Sequence, residues 1–346
     1  MKVTLYPSHC ILLINAKNTA HFKHFNNTDR TSNFPSAQKS SANIHPHRLT
    51  NGRPSKHVDH KQSHIELNYS PREGKPMNVQ QYAEYLIDGN FIEAERYRRQ
   101  CIPNVLYKFI SLDSDETLNA AKLNTLQENA LWFSPVDYFN DPCEQKGLFI
   151  DGAELKSAGW SPEQIANCHS VFNQAAMAGP ICCLSADSYS NMPMWAYYAN
   201  NSQGYCIECS VDNPDNIYEV SYEEAPSSVT KMTANLLCEI YKTQGKPTPT
   251  PNQIQTLMLL KYNSCIKQKK WSHEKEYRII APINGSQGIA IPADSCGLTF
   301  NKLIIGTCCS EGHTQTLYRI AKQLEIGIFK LVPPSDGSLL PTLEEC

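Results

Sequence analysis

The sequence predicts an α+β fold built on a largely antiparallel sheet with flanking helices. Two observations carry this. Runs of β-branched and aromatic residues bounded by turn residues outnumber the helical runs, and the two kinds do not alternate strictly, as a parallel sheet with crossover helices requires. Several helical runs also open on recognisable caps, which fixes their starts. With 346 residues, 41% of them hydrophobic and 19% charged, the chain can bury a substantial core.

Residues 1–76 are polar, rich in Asn, Ser, His and Pro, and carry eight of the eleven histidines without any periodicity. They read as a disordered leader rather than a metal-binding tract, and Met77, where patterned sequence begins, is expected to be the native start. Asn78 caps a first helix with Tyr82, Tyr85 and Leu86 on its apolar stripe, and Asp88-Gly89-Asn90 breaks it before a second from Phe91 to Arg99. Residues 77–101 thus form a helical hairpin, 102–334 one α+β domain, and 335–346 a tail.

Asn104–Ile110 is the first strand. Asp113 with Glu116 reads as the capping box of a helix from Ser114 to Asn129, with Leu118, Ala121, Thr125 and Leu126 inward. Residues 130–135 form a strand that runs into a polar turn, Val136 to Glu144. Ser161-Pro162-Glu163-Gln164 opens the next helix, with His169 on its apolar side. Strands at 181–185, 204–211 and 217–222 follow, with a short helix at 193–198. Helices at 228–243 and 252–267 flank Pro247, Pro249 and Pro251. Short strands near 288–292 and 302–306, a helix at 310–324 and a strand at 326–332 complete the pattern.

The stretch Lys270–Ile280 reads as a strand closed by Pro282 and Gly285. Alternation puts Glu274, Glu276 and Arg278 on one face of it. Two carboxylates and a guanidinium in a row form either a solvated edge or the lining of a cleft.

No apolar run approaches the ~20 residues that span a bilayer, and Cys10–Ile14 lacks a cleavage-site pattern. A cytoplasmic protein without membrane contacts is expected, its fourteen cysteines reduced and mostly buried. Cys206 and Cys209 lie on a strand at i and i+3, hence on opposite faces, which is poor metal geometry; no metal ligands are assigned. Residues 1–76 hold eleven Lys/Arg against four Asp/Glu, and the remainder 20 against 30. An acidic body argues against broad electrostatic binding of nucleic acid. No phosphate loop, GxGxxG, nucleophile elbow or HExxH occurs.

Polar-aromatic clusters remain at strand ends: Tyr107-Lys108, Ser134 to Glu144, Ser185 with Met194–Tyr198, and Trp271 to Arg278. Leu106-Tyr107-Lys108-Phe109, then Leu131–Pro135 leading to Phe139-Asn140-Asp141-Pro142, then Met194–Asn200 with Gly204, and Lys270-Trp271 with Glu274–Arg278 occur in order. Over about residues 104–332 this order resembles the bacterial family catalogued as domain of unknown function 2971. Ile110 stands where that family usually has a basic residue.

The layout in turn resembles ADP-ribosyltransferases, among them toxins that modify nucleic acid. That resemblance implies a split antiparallel sheet, NAD as substrate, and a late-strand catalytic glutamate, Glu276, with Glu274 as companion. Tyr107 or Lys108 would grip the cofactor from the first strand, and Phe133-Ser134 would match the second. Lys108 or Arg278 would hold the diphosphate, Asn140 and Asp141 would order a loop or touch substrate, and Trp195 and Tyr198 would stack on a planar ring or belong to the core. The implied partner is a macromolecular acceptor, protein or nucleic acid, with a toxin or phage-defence role and an antitoxin or defence-system partner. The lysines at 267, 269 and 270 would contact phosphates or form a solvated helix end. Two other classes stay open: a metal-dependent nuclease or hydrolase using Asp141, Glu144, Glu274 and Glu276, and a non-catalytic binding module built on Trp195, Tyr198 and Trp271.

Overall fold

A computed structural model describes residues 76–346, except 177–178, 243–249, 282–286 and 335–339. The expected leader, Pro247, Pro249, Pro282 and Gly285 lie outside the described residues.

The chain opens with a helical hairpin, α1 (Val79–Ile87) and α2 (Phe91–Gln100), and Asn78 caps α1 by accepting from the Gln81 amide. Buried Arg98 fastens the hairpin to the sheet. Its guanidinium donates to the carbonyls of Pro214, Asp215 and Ile217 and to Glu95. Beside it the Met77 amide donates to Glu219 at 2.7 Å. Burial pushes the Glu219 carboxyl up to about 7. A carboxyl raised in the folded state binds a proton that the unfolded chain has already released. Its contribution is therefore complete below about pH 4.5 and is lost as pH rises through about 7. Wild type is expected to lose about 1–2 kcal/mol more across that window than Glu219→Gln, measured by urea denaturation at each pH.

β1 (Val105–Ile110) is followed by α3 (Glu116–Gln127), β2 (Ala130–Phe133), β3 (Leu148–Phe149), α4 (Gly152–Ser157), α5 (Pro162–Ala176), β4 (Ile181–Ser185) and α6 (Met192–Tyr198). Then come β5 (Tyr205–Val211), β6 (Ile217–Glu219), β7 (Ser221–Glu223), β8 (Ser227–Ser228), α7 (Thr230–Lys242), α8 (Pro251–Lys261) and β9 (Ile266–Gln268). β10 (Glu276–Ile280), β11 (Ile289–Pro292), β12 (Leu298–Ile305), α9 (Glu311–Leu324), β13 (Gly327–Val332) and β14 (Thr342–Glu345) end the chain. The predicted mix of helices and strands is present. The expected helix at 252–267 stops ten residues in, because 262–265 tightens into a 3-10 turn before β9. The expected tail contains a strand, β14, antiparallel to β13.

Among the described residues eight strands form one sheet in the order β14-β13-β12-β5-β1-β4-β10-β6. Every pairing is antiparallel except β12 with β13, which α9 connects as a parallel pair requires. Between β1 and β4 the sheet nearly divides: one residue pair, Tyr107 opposite Ser185, joins them, against six between β1 and β5. Beyond that pair the Lys108 ammonium spans the gap and donates to the Cys183 carbonyl at 2.9 Å, satisfying a backbone acceptor that lacks a ladder partner.

One face of the sheet carries the main core. Leu106, Cys182, Leu184, Ile207 and Ile279 pack there beneath Leu123 and Leu126 of α3, Leu317 and Ile320 of α9, and the β2–β11 ribbon. The inward residues of α3 differ from those expected. Asp115, not Asp113, is the cap, and Asn119, Leu123 and Leu126 are buried while Leu118 is 48% exposed. On the opposite face, Phe109, Cys206 and Ile304 meet Met194 and Trp195 of α6, and Ile181 and Ile280 meet the hairpin. Cys206 and Cys209 fall in different clusters on opposite faces of β5. A separate cluster joins α5, α7 and α8.

Asn200, Asn201 and Ser202 all take left-handed conformations, turning the chain from α6 into β5. Gly204 ends this turn against β1. A Cβ there would lie 1.9 Å from the Ile110 carbonyl oxygen, so the close approach of two backbones requires glycine. Gly204→Ala is expected to cost about 3 kcal/mol, read as a lowered urea midpoint, because the atom in the way is backbone and cannot swing aside.

Candidate functional site: a buried carboxylate cluster at the sheet division

β10 starts at Glu276, six residues later than the expected strand. Residues Lys269–Glu274 form a 3-10 turn, and Lys275 takes the left-handed conformation at φ 44°. Glu274 therefore does not reach Glu276 by strand alternation. The turn folds the chain so that Lys267 of β9 lies under both carboxylates, donating to Glu274 at 2.6 Å and to Glu276 at 3.1 Å. Its ammonium also lies 3.6 Å from Glu144, and 5.0 Å from the centre of the Trp271 ring. Lys267 is thus a buried counter-ion, neither a solvated helix end nor a phosphate contact.

Arg278 closes the cluster. Its Nε and Nη2 donate to the two oxygens of Glu276, Nη1 and Nη2 to the two oxygens of Glu144, and Nη1 to the Ser264 carbonyl at 2.6 Å. These five bonds use all five N–H donors of a guanidinium. The expected grip of Arg278 on a diphosphate is corrected on that ground: the side chain is fully buried with no donor left. Three carboxylates face two cations, leaving one surplus negative charge in a buried site.

The two neighbouring glutamates are driven apart. Burial raises the Glu276 carboxyl, but Arg278 and Lys267 outweigh burial and hold it at about 2. Glu274 is raised, by burial and then by the charge of Glu276, against the pull of Lys267. The Tyr198 hydroxyl donates to Glu274, and burial together with that carboxylate raises the phenol. The Glu276 amide donates to the Tyr222 hydroxyl oxygen at 2.8 Å. Adjacent carboxyls of unequal proton affinity are the usual arrangement of an acid–base pair.

Register places the cluster at the sheet division. Glu276 lies opposite Ser185, Ser185 opposite Tyr107, and Tyr107 opposite Glu208. Directly paired residues share a face. The Tyr107 hydroxyl donates to Glu208 at 3.2 Å, and Lys302 pairs with the same carboxylate at 2.8 Å. Tyr107 and Lys108, the two alternatives for the first-strand grip, occupy opposite faces: Tyr107 that of Glu276, Lys108 that of the main core.

The remaining expected residues divide. Ser134 forms a backbone bridge with Ile181 and extends β2 towards β4. Asn140 is exposed, and Asp141 makes an Asx turn, its Oδ1 accepting from the Cys143 amide at 2.8 Å. That turn aims Phe139 at Arg278, with 5.5 Å from guanidinium to ring centre, and returns Glu144 to it. Trp195 is fully buried, its indole N–H donated to the Tyr189 carbonyl and its ring edge-on to Phe109. It is a core residue with no free ring face. Trp271, His273 and Tyr197 instead supply a ring cluster beside Glu274, with ring centres 6.1 Å apart in both successive pairs. Glu144 joins Glu274 and Glu276, the grouping expected for a metal site, but Arg278 and Lys267 hold the three carboxylates together. Lys267 as their counter-ion, and Tyr222, were not foreseen.

Residues 194–279 match the model of DUF2971, a family of proteins of unknown function. The chain resembles that family. The DUF2971 match runs from α6 into β10 and so contains Tyr198, Lys267, Glu274, Glu276 and Arg278, while Glu144 and Tyr107 lie outside it. It covers the middle of the span over which the sequence motifs resemble DUF2971. No curated protein and no solved structure matches the chain.

Proposed function

We propose that the chain is an ADP-ribosyltransferase-like enzyme that consumes NAD, with Glu276 as the fixed carboxylate and Glu274 as its partner. The observation that carries this reading is the pairing of an ionised and a raised carboxyl at the point where the sheet divides. In the reaction the bond between ribose C1′ and the nicotinamide nitrogen breaks, and its electron pair leaves with the ring. The Glu276 carboxylate stabilises the positive charge developing on the ribose. The acceptor's oxygen or nitrogen then bonds to C1′, and its proton passes to Glu274.

The residues fit the substrate selectively. Arg278 is committed, so the diphosphate falls to exposed Lys270 at the turn, with Lys275 joining it only by exchanging its Asp187 partner at 3.3 Å. A planar ring finds partners in Trp271 and Tyr197, not in Trp195. Glu274 and Glu276 are 2% and 4% exposed, so the reading requires the 269–275 turn to move aside when substrate enters. The acceptor is a macromolecule, protein or nucleic acid, as suits a toxin or defence effector. Among the described residues no helix is long and apolar enough to cross a membrane.

The saturation of Glu276 and Arg278 favours one second reading, a binding module in which the cluster only holds the fold. The metal-dependent alternative asks Glu144, Glu274 and Glu276 to exchange Lys267 and Arg278 for an ion, and among the described residues no three His, Cys, Asp or Glu side chains gather as ligands. Incubation with labelled NAD and cell lysate, with and without a chelator, separates the three. The transferase predicts chelator-resistant release of nicotinamide with label passing to a macromolecule. Activity on nucleic acid abolished by the chelator supports the metal enzyme, and silence in both supports the module.

A further inference from the structure

Between Pro76 and Met77 the chain passes from solvent into the core: Pro76 is exposed, while Met77 is 9% exposed and belongs to the cluster of Tyr82, Leu86 and Tyr262. Three bonds converge on residues 77 and 78. The Tyr262 hydroxyl donates to the Met77 sulfur at 3.7 Å, the Asn78 amide to the Tyr97 hydroxyl at 2.9 Å, and the Met77 nitrogen to Glu219 at 2.7 Å. The bond to Glu219 is unlike the others of its kind. Glu95 faces Arg98, Glu208 faces Lys302, and Glu144, Glu274 and Glu276 face Lys267 and Arg278. Around Glu219 stand Tyr97, Cys101 and Tyr277, and among the described residues no cation faces it. The Arg98 guanidinium of the same hairpin is taken up by Glu95 and the carbonyls of Pro214, Asp215 and Ile217. A carboxylate withdrawn from water is normally paired. The Glu219 carboxylate holds only a backbone nitrogen.

We infer that Glu219 is the receptor for a free α-amino group at Met77: the functional chain begins at that residue, and its ammonium pairs with the carboxylate. As an ammonium the Met77 nitrogen carries a positive charge 2.7 Å from Glu219 Oε2 and so supplies the missing cation. Pro76 belongs to none of the core clusters, so its absence removes no core contact. Two routes give the same group. One is initiation at Met77. The other is hydrolysis by a peptidase, in which water adds its hydroxyl to the Pro76 carbonyl carbon and its proton to the Met77 nitrogen. The pair reaches the carboxylate cluster through the sheet. Glu219 lies opposite Tyr277 on β10, and the next amide, that of Val220, donates to the Glu276 carbonyl at 3.0 Å. The amino terminus thus ties the helical hairpin to the strand that carries Glu276, independently of the proposed NAD reading. The pH response of Glu219 changes sign with it. With Pro76 attached, the carboxyl is raised and its contribution is lost as pH rises through about 7. Beside an ammonium it is lowered, and its contribution is complete above about pH 4.5 and lost as pH falls. Tyr97, Cys101 and Tyr277 are all raised and stay neutral across that window.

Mass spectrometry of the protein isolated from its own cells reads the terminus. Met77 with an unblocked amino group is expected. A chain that starts elsewhere, or a formyl or acetyl group on Met77, overturns the inference. A stop codon placed before codon 77 separates the two routes: continued production of the same chain marks initiation at Met77, and its loss marks cleavage. A second measurement tests the pair itself, on wild type and on Glu219→Gln made in the same cells and shown by circular dichroism to be folded. Acetic anhydride near neutral pH acetylates an α-amino group ahead of lysines, because their pKa values are about 8 and about 10.4. Acetylation is expected to lower the melting temperature of wild type by about 4–8 °C and that of Glu219→Gln by less than about 2 °C, since the variant has no carboxylate to leave unpaired. Equal shifts in the two proteins overturn the inference.

Discussion

Arg278→Leu is expected to destabilise the protein by about 3–5 kcal/mol, the largest loss of any single substitution in the cluster. The variant removes five hydrogen bonds at once and leaves Glu144 and Glu276 buried with only Lys267 to neutralise them. Urea denaturation reads the effect directly. Arg278→Lys keeps the charge but has three donors on a point charge in place of a planar fork, so it should recover only part of the loss. Adding Glu144→Gln to Arg278→Leu should return roughly 1–2 kcal/mol, because it removes one of the stranded charges. A loss below about 1 kcal/mol for Arg278→Leu would mean that the buried network contributes little to the fold.

The second large effect concerns chemistry. Glu276→Gln is expected to reduce NAD cleavage by about a thousandfold or more, since it removes the charge that faces the developing oxocarbenium. Glu274→Gln should act differently. It removes the group that takes the acceptor's proton but leaves Glu276 ionised, so transfer to an acceptor falls about 100-fold while slow hydrolysis of NAD persists. The two variants therefore distinguish the roles of the two carboxyls. The raised proton affinity of Glu274 and the depressed one of Glu276 are the structural grounds for that division.

Much of the fold was legible because its signals are local. Asn78 and Ser161 cap helices through bonds confined to four residues, and sequence patterns show such caps directly. Arg278 with Glu276 was legible by strand period, and both lie on β10 as expected. Glu274 joined them through a 3-10 turn and a left-handed lysine, which alternation cannot reveal. Lys267 looked like part of a basic surface run because its two carboxylates lie seven and nine residues on, across that turn. The inner face expected for α3 lies about 100° from the buried one, because Asn119 is buried through its bonds to the Asp113 backbone, and a reading of apolar positions does not select an asparagine. The tail strand β14 escaped notice because Thr342–Glu345 carries two glutamates on a half-exposed edge, where pairing with β13 rather than burial decides.

The proposed consumption of NAD by the Glu274–Glu276 pair is measured most directly as the release of nicotinamide from labelled NAD by the wild-type chain beside Glu276→Gln, with both shown to be folded. Release by wild type, reduced about a thousandfold in the variant, is expected. Equal release by the two, or none by wild type in the presence of lysate, would contradict it and leave the cluster as a structural knot of the fold.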